Sequence, residues 1–218
     1  MDKSDSTQPD AFSTKYGAIM DNKHFNDLFQ VVPVLETERL VLRPFRHSDI
    51  DEYLAFFTTD AVQKYLGGIL IPKDMDDAKR WIDNINGRCL KARLVFTWCI
   101  QMKADNAIVG RCDLGGFLKK SMAEVSYYLT SDRWHQGIMR EALQAVLLFG
   151  FGSLKLRRIQ ALVLPDNKAS IALLQRLGFT TEGLLRQYDY GKGFSDVLMH
   201  SILANEYSFG HCEHPNEM

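Results

Sequence analysis

The stretch SDRWHQGIMREALQAVLLFGF, Ser131 to Phe151, decides the fold. Polar residues lead to a single glycine, Gly137, and then to an apolar run in which Ala142, Leu143, Val146, Leu147 and Phe149 recur. That spacing predicts a buried helix starting near Arg140, with a residue that lacks Cβ at its mouth. The first amides of such a helix have no acceptor inside it and lie at the positive end of its dipole, where they suit an anion. A glycine there lets the anion approach the backbone closely and permits φ angles that other residues avoid. By itself such a glycine is more often ordinary turn chemistry, and the apolar residues behind it are core under either reading.

On the N-terminal side, RLVFTWCIQM, AIVGRCDLGGF and AEVSYYLT are strand-like runs, and the separators KADNA and LKKSM have hairpin composition. The three strands should therefore be antiparallel neighbours. Further upstream, ERLVLRPFR suits a strand stopped by Pro44. HSDIDEYLAFF suits a helix capped by Ser48, with Ile50, Tyr53, Leu54 and Phe57 on one face. A second helix follows Pro72, with Ala78, Trp81, Ile82 and Ile85 on one face. On the C-terminal side, RRIQALVLP is a strand with Ile159, Ala161 and Val163 on one face. DNKASIALLQRLGF is a helix begun by Asp166 or Asn167 and stopped by Gly178, and TEGLLRQYDYGKGFSDVLMHSIL is two strands joined around YGKG. A meander feeding into β–α–β predicts an α+β fold with a mixed, mostly antiparallel twisted sheet flanked by helices.

The chain has 218 residues, 46% of them hydrophobic, which is enough for one domain with a substantial core. A formal net charge of −1 without a Lys/Arg stripe argues against direct nucleic-acid binding. No window is long and apolar enough to span a membrane, and the polar start carries no signal-peptide core, so a cytoplasmic address is the default. Cys89, Cys99, Cys112 and Cys212 form no C-x-x-C pair and are expected as free thiols, mostly in the core. The terminal HCEH, His211 to His214, is expected to be solvated tail, and no metal is expected. His47 and His200 have no evident partner in the sequence. Residues 1–34 are expected as an extension outside the core, 35–207 as the folded domain and 208–218 as a polar tail. An apolar stripe in AFSTKYGAIMDNKHF offers a surface for a homodimer.

AEVSYYLTSDRWHQGIMREAL, LVLPDNKASIALLQRLGFTTEGLLRQ and GFSDVLMHSIL, taken in order, resemble the GNAT superfamily of acyl-CoA N-acyltransferases. They are most similar to the RimJ/RimL type, which acetylates ribosomal-protein N-termini, and LETERLVLRPFRHSDIDEY resembles that type's opening. The resemblance spans about Leu35 to Tyr207. It implies a GNAT-like sheet with a splay between the two central strands, VSYYLT and RRIQALVLP, and acetyl-CoA as co-substrate. The family's phosphate loop falls on Trp134, His135, Gln136, Gly137, Ile138 and Met139, with Arg140 following. Trp134 replaces the usual first residue and Met139 the small last one, which is tolerable if the Met139 side chain points away. The pantetheine arm is implied to pair with the strand carrying Tyr127, Tyr128 and Leu129. By position alone Asn167 reads first as a helix cap; the resemblance reverses this, since Asn167, with Ser170 beside it, matches a cofactor contact.

Acetyl transfer to an amine needs a neutral amine, a polarised carbonyl and a leaving thiolate. Glu124 is the candidate base, acting through water; the alternative is an exposed edge carboxylate. The tyrosine that many family members use as acid falls on Leu174, which leaves Ser170, Tyr188 and Tyr190 as substitutes, with Ser170 fitting the resemblance best. Direct attack needs no enzyme nucleophile, which weakens any such role for Cys99 or Cys112. The resemblance thus implies an N-acetyltransferase acting on a protein N-terminal amine. Small amines such as polyamines or aminoglycosides are the alternative acceptors, with choice residing in the helices near Asp49 to Gly87. The missing tyrosine and Met139 also motivate a second reading, an acyl-CoA-binding regulatory module without turnover. A P-loop nucleotide enzyme is disfavoured because the G-K-[ST] ending is missing.

Overall fold

The computed structural model describes residues 22–56, 63–65, 72–118, 121–189 and 193–207. Its elements are, in chain order, α1 (Asn22–Asp27), β1 (Leu35–Glu36), β2 (Leu40–Arg43), α2 (Ile50–Ala55), α3 (Met75–Asp83), β3 (Val95–Met102), β4 (Ile108–Leu118), β5 (Met122–Leu129), α4 (Ile138–Leu148), β6 (Arg158–Val163), α5 (Lys168–Arg176), β7 (Thr180–Asp189) and β8 (Phe194–Leu203). The strands form one sheet in the order β1-β2-β3-β4-β5-β6-β8-β7. Every neighbouring pair is antiparallel except β5 and β6, which are parallel and joined through α4. This is the α+β GNAT-like architecture expected from the sequence. The two-residue strand β1 is an addition: two extended residues carry too little alternation to be read from the sequence.

Helices cover both faces. Ile138, Met139, Ala142, Leu143, Val146 and Leu147 of α4 lie in the larger core together with Ile159, Ala161 and Val163 of β6 and Leu174 of α5. Each large aliphatic side chain buried in this way contributes about 1.5–3 kcal/mol. The opposite face carries a second core of Ile50, Tyr53, Ala78, Ile82 and Ile85 from α2, α3 and its continuation, packed on Cys99, Ile108 and Tyr128. Cys99 and Cys112 are fully buried and free, and burial pushes both thiols up, so they act as small core residues. Gly178 ends α5 at φ +88°, the left-handed stop expected of it.

Three expectations need correction. Ser48 does not cap α2; instead the Asp49 carboxylate accepts the Arg46 amide at 2.7 Å and the Arg43 guanidinium at 2.7 and 3.0 Å. The buried Arg43 demands a counter-charge that a serine cannot supply. The segment read as lying outside the core contributes Phe25, Phe29 and Val32 to it. Phe29 stacks against Phe96 with centroids 4.3 Å apart, and Trp98 Nε1 donates to Pro33 O at 2.7 Å, pinning the segment down. Finally, both histidines have partners: His47 Nε2 lies 2.8 Å from Asp83 Oδ1, and His200 Nδ1 lies 3.1 Å from Thr181 Oγ1. Phe57, Tyr190, the HCEH tail with Cys212, and most of the stripe AFSTKYGAIMDNKHF lie outside the described residues. Among those described, no helix is long and apolar enough to cross a membrane.

Because Phe29 is 2% exposed within an aromatic cluster, Phe29→Ala should cost about 3–5 kcal/mol of stability. Urea unfolding measures this. A loss below about 1 kcal/mol would return the segment to the status of an appendage.

Candidate active site

The sheet is parted at its centre. β5 and β6 pair only through Met122, Ala123 and Glu124 against Arg158, Ile159 and Gln160. Beyond them β5 continues to Leu129 along β4, and β6 continues to Val163 along β8. The two strands therefore form a fork whose vertex lies at Glu124 and Gln160. From Glu124 to Leu129 the β5 arm runs about 17 Å at the usual rise of a strand.

At the open end of the fork, the loop after β5 turns into α4. Trp134 Nε1 donates to Leu129 O at 2.9 Å, and Gln136 Nε2 donates to Asp132 O at 3.0 Å. His135 and Gly137 take left-handed φ values of 61° and 74°. The first intrahelical bond is Glu141 N–H to Gly137 O at 3.1 Å. The amides of Ile138, Met139 and Arg140 therefore precede the hydrogen-bonded helix and face its N-terminal end. Met139 is 8% exposed and packs in the larger core, so its side chain does point away. Trp134, His135, Gln136 and Arg140 are exposed around the same turn.

The loop is braced from the far edge of the sheet, which the sequence reading missed. Arg39 Nη1 donates to Gln136 O at 3.1 Å, while its Nε and backbone N donate to the Glu141 carboxylate at 2.6 and 2.8 Å. Thr37 Oγ1 donates to the same carboxylate at 2.6 Å. Burial pushes the Glu141 carboxyl up, but these bonds outweigh it and hold it below its usual range. Arg39 and Glu141 are 102 residues apart, so no local pattern announces them.

At the vertex, Glu124 is half-buried and accepts from Gln160 Nε2 at 3.3 Å. Burial pushes its carboxyl above the ordinary range, and the Gln160 bond offsets this only in part. Strand alternation sends Glu124, Ser126 and Tyr128 to the face of α2 and α3, and Val125, Tyr127 and Leu129 to that of α4 and α5. The Tyr128 ring is buried, with its hydroxyl 3.4 Å from Tyr53, so it can serve the fork only through its main chain. Tyr127 meets α5: its hydroxyl lies 2.8 Å from Ser170 Oγ. Asn167 caps α5, its side chain accepting from Ser170 N at 3.1 Å. Tyr188 is not gathered in. It pairs with Ser195, six residues along β8 from Ser201, which stands in the row of Glu124 and Gln160. That places it about 20 Å along the sheet from the vertex.

A parted mixed sheet, an anion-ready helix mouth and a carboxylate at the vertex define a class, and comparison with known proteins agrees. Residues 39–180 match the family model described as an acetyltransferase (GNAT) domain. An uncharacterized N-acetyltransferase of Bacillus licheniformis is 36% identical over 176 residues, which cover 80% of this chain and 98% of that protein. Among solved structures, the ribosomal-protein-S5-alanine acetyltransferase of Vibrio fischeri superposes with a TM-score of 0.69 at 22% identity, covering 81% of this chain and 99% of that one. Mycobacterium smegmatis RimJ, in complex with CoA-disulfide, superposes with a TM-score of 0.67 at 24% identity, covering 86% and 90%. The chain belongs to the GNAT acetyltransferase family. It is an enzyme of acetyl transfer.

A Cβ at Gly137 would meet nothing closer than Arg39 Nη2 at 3.6 Å, so the demand for glycine comes from φ, not from space inside the loop. Gly137→Ala should cost about 1–2 kcal/mol of local backbone strain and weaken capture of a diphosphate ligand. Calorimetric titration with coenzyme A checks it, with wild-type affinity as the outcome against.

Proposed function

We propose that this enzyme binds acetyl-CoA in the fork and passes its acetyl group directly to a primary amine, the preferred acceptor being a protein N-terminus of the ribosomal-protein kind. The single observation that carries the reading is the distance relation within the fork. The diphosphate sits on the amides of Ile138 to Arg140, with Trp134, His135, Gln136 and Gly137 around it. An extended arm running back along Tyr127, Tyr128 and Leu129 then ends at Glu124. An open strand edge suits such an arm because main-chain groups pair with amide groups in an extended ligand. Asn167 and Ser170 flank the arm from α5.

Glu124 takes up the proton of the ammonium, directly or through water, so that the amine attacks as a neutral nucleophile. Its raised pKa moves it towards that of the proton it must accept, which is how a carboxylate becomes a useful base near neutrality. A carboxylate tuned and positioned in this way favours turnover over a merely binding module. The acceptor is read from the structural neighbours: the Vibrio fischeri protein is named for acetylating the alanine of a ribosomal protein. Polyamines and aminoglycosides are the competing acceptors. The cytoplasm, where ribosomal proteins are made, is the location that goes with this acceptor.

Incubation with acetyl-CoA and a panel of N-terminal peptides, polyamines and aminoglycosides, read by mass spectrometry, tests the acceptor. Acetylation of peptides above all other amines is expected, and exclusive use of small amines would overturn that part. Glu124→Gln should lower kcat by about 10²–10⁴-fold while leaving acetyl-CoA affinity unchanged. The base must be deprotonated to act, so the wild-type rate should rise with pH through the elevated pKa of Glu124, and that limb should vanish in the variant. Unchanged kcat in Glu124→Gln would remove it as the base.

A further inference from the structure

The thiolate that leaves the acyl donor must gain a proton to end as a thiol, and Leu174, fully buried in the larger core, has none to give. Ser170 precedes Leu174 by one helical turn on the same face. Reaching that face from across the fork is the phenol of Tyr127, 2.8 Å from Ser170 Oγ. We propose that Tyr127, held by Ser170, is the acid that protonates the leaving thiolate. The inference rests on the acetyl-CoA reading above and adds the residue that completes the reaction.

Three considerations support it. The first is direction. Glu124 and Tyr127 are three positions apart on one strand and so project to opposite faces of the sheet. A donor threaded through the fork presents its carbonyl carbon to the amine from the side of Glu124 and its sulfur to the side of Tyr127. The amine and the leaving sulfur are then served from opposite faces of the sheet as the tetrahedral adduct forms and collapses. The second is acidity. A phenol ordinarily titrates at about 10 and a thiol at about 8.5, so a proton passes between them at modest cost, whereas a serine hydroxyl is a far weaker acid. The third is position. Tyr127 stands three residues, about 10 Å, along β5 from the vertex, whereas Tyr188, another tyrosine among the substitutes, lies about 20 Å from it.

The step balances. The amine nitrogen forms the new C–N bond, the C–S bond breaks, and the pair of electrons leaves on sulfur. The Tyr127 proton moves to that sulfur to give the free thiol. The ammonium gives up two protons on becoming an amide: the first passes through Glu124 to solvent before attack, the second follows the same route once the C–N bond has formed, and the phenolate regains a proton from water relayed through Ser170 Oγ. Ser170 is in this account a positioning residue.

The test compares wild type with Tyr127→Phe in steady-state turnover of acetyl-CoA with the best amine. Loss of kcat by about 10²-fold or more is expected, with acetyl-CoA affinity by calorimetry nearly unchanged. An acid must be protonated, so the wild-type kcat should fall at alkaline pH and Tyr127→Phe should lose that limb. Replacement of Tyr127 by a fluorinated tyrosine keeps the shape while making the phenol more acidic, and should move the limb to lower pH. This second variant covers the case in which the phenylalanine variant folds poorly. Retained kcat in Tyr127→Phe, a change confined to KM, or a limb unmoved by fluorination each overturns the proposal and leaves the Tyr127–Ser170 bond as a tie across the fork. Failure of the wild type to acetylate any amine would instead sink the underlying reading, so the two failures are distinguishable.

Discussion

The constraint on which the whole structure depends is the early end of the ladder between β5 and β6. Two central strands of a sheet normally satisfy one another's amides and carbonyls along their length, and leaving such groups without partners in an interior is costly. Here the ladder stops after Glu124–Gln160 although both strands run on. The parting persists because each arm is held from outside: β5 by its long register with β4, β6 by its register with β8, and the two faces by helices whose cores would be torn by closure. A gap that the rest of the fold holds open is a place where an extended ligand can lie without reorganising the sheet.

The loop at the open end shows the same economy of motion. Left-handed residues at 135 and 137 aim the first amides of α4 outwards, and a left-handed histidine is an unfavourable choice that must be held in place. The brace from Arg39 and Thr37 to Gln136 and Glu141 does this from the opposite margin of the sheet. It explains why β2, which contributes no group to the fork, is built into its support. Arg39 is partly exposed, so the ion pair itself is screened; the value of the arrangement lies in three donors converging on one carboxylate.

Most of the fold was legible in the sequence because its elements obey local periods. The meander announced itself through alternation, α4 through its apolar repeat, and Gly137 and Gly178 through the φ values that only glycine adopts easily. What escaped was whatever depends on distant partners. Ser48 looked like a cap because nothing local reveals that Arg43 would be buried and need Asp49. Phe25 and Phe29 looked peripheral because a six-residue helix and the single turn after it carry too little pattern to show which face is covered. Within the site, Glu124 and the loop could be named from the resemblance to a family, but the meeting of Tyr127 with Ser170, 43 residues later, exists only once the fork is folded.

That division bears on two of the positions where the chain departs from its family's pattern. Met139 in place of a small residue looked like damage to the anion loop, and Leu174 in place of tyrosine looked like loss of the acid. Folding separates the two. Backbone amides, unlike side chains, are indifferent to residue type so long as the side chain has somewhere to go, and Met139 goes into the core. Leu174 does likewise, and a buried leucine cannot stand in for a phenol. A strand that alternates faces beside a helix that repeats every turn offers more than one position from which a hydroxyl reaches the same point. The departure at 174 therefore bears on where a proton could come from and does not by itself remove every donor.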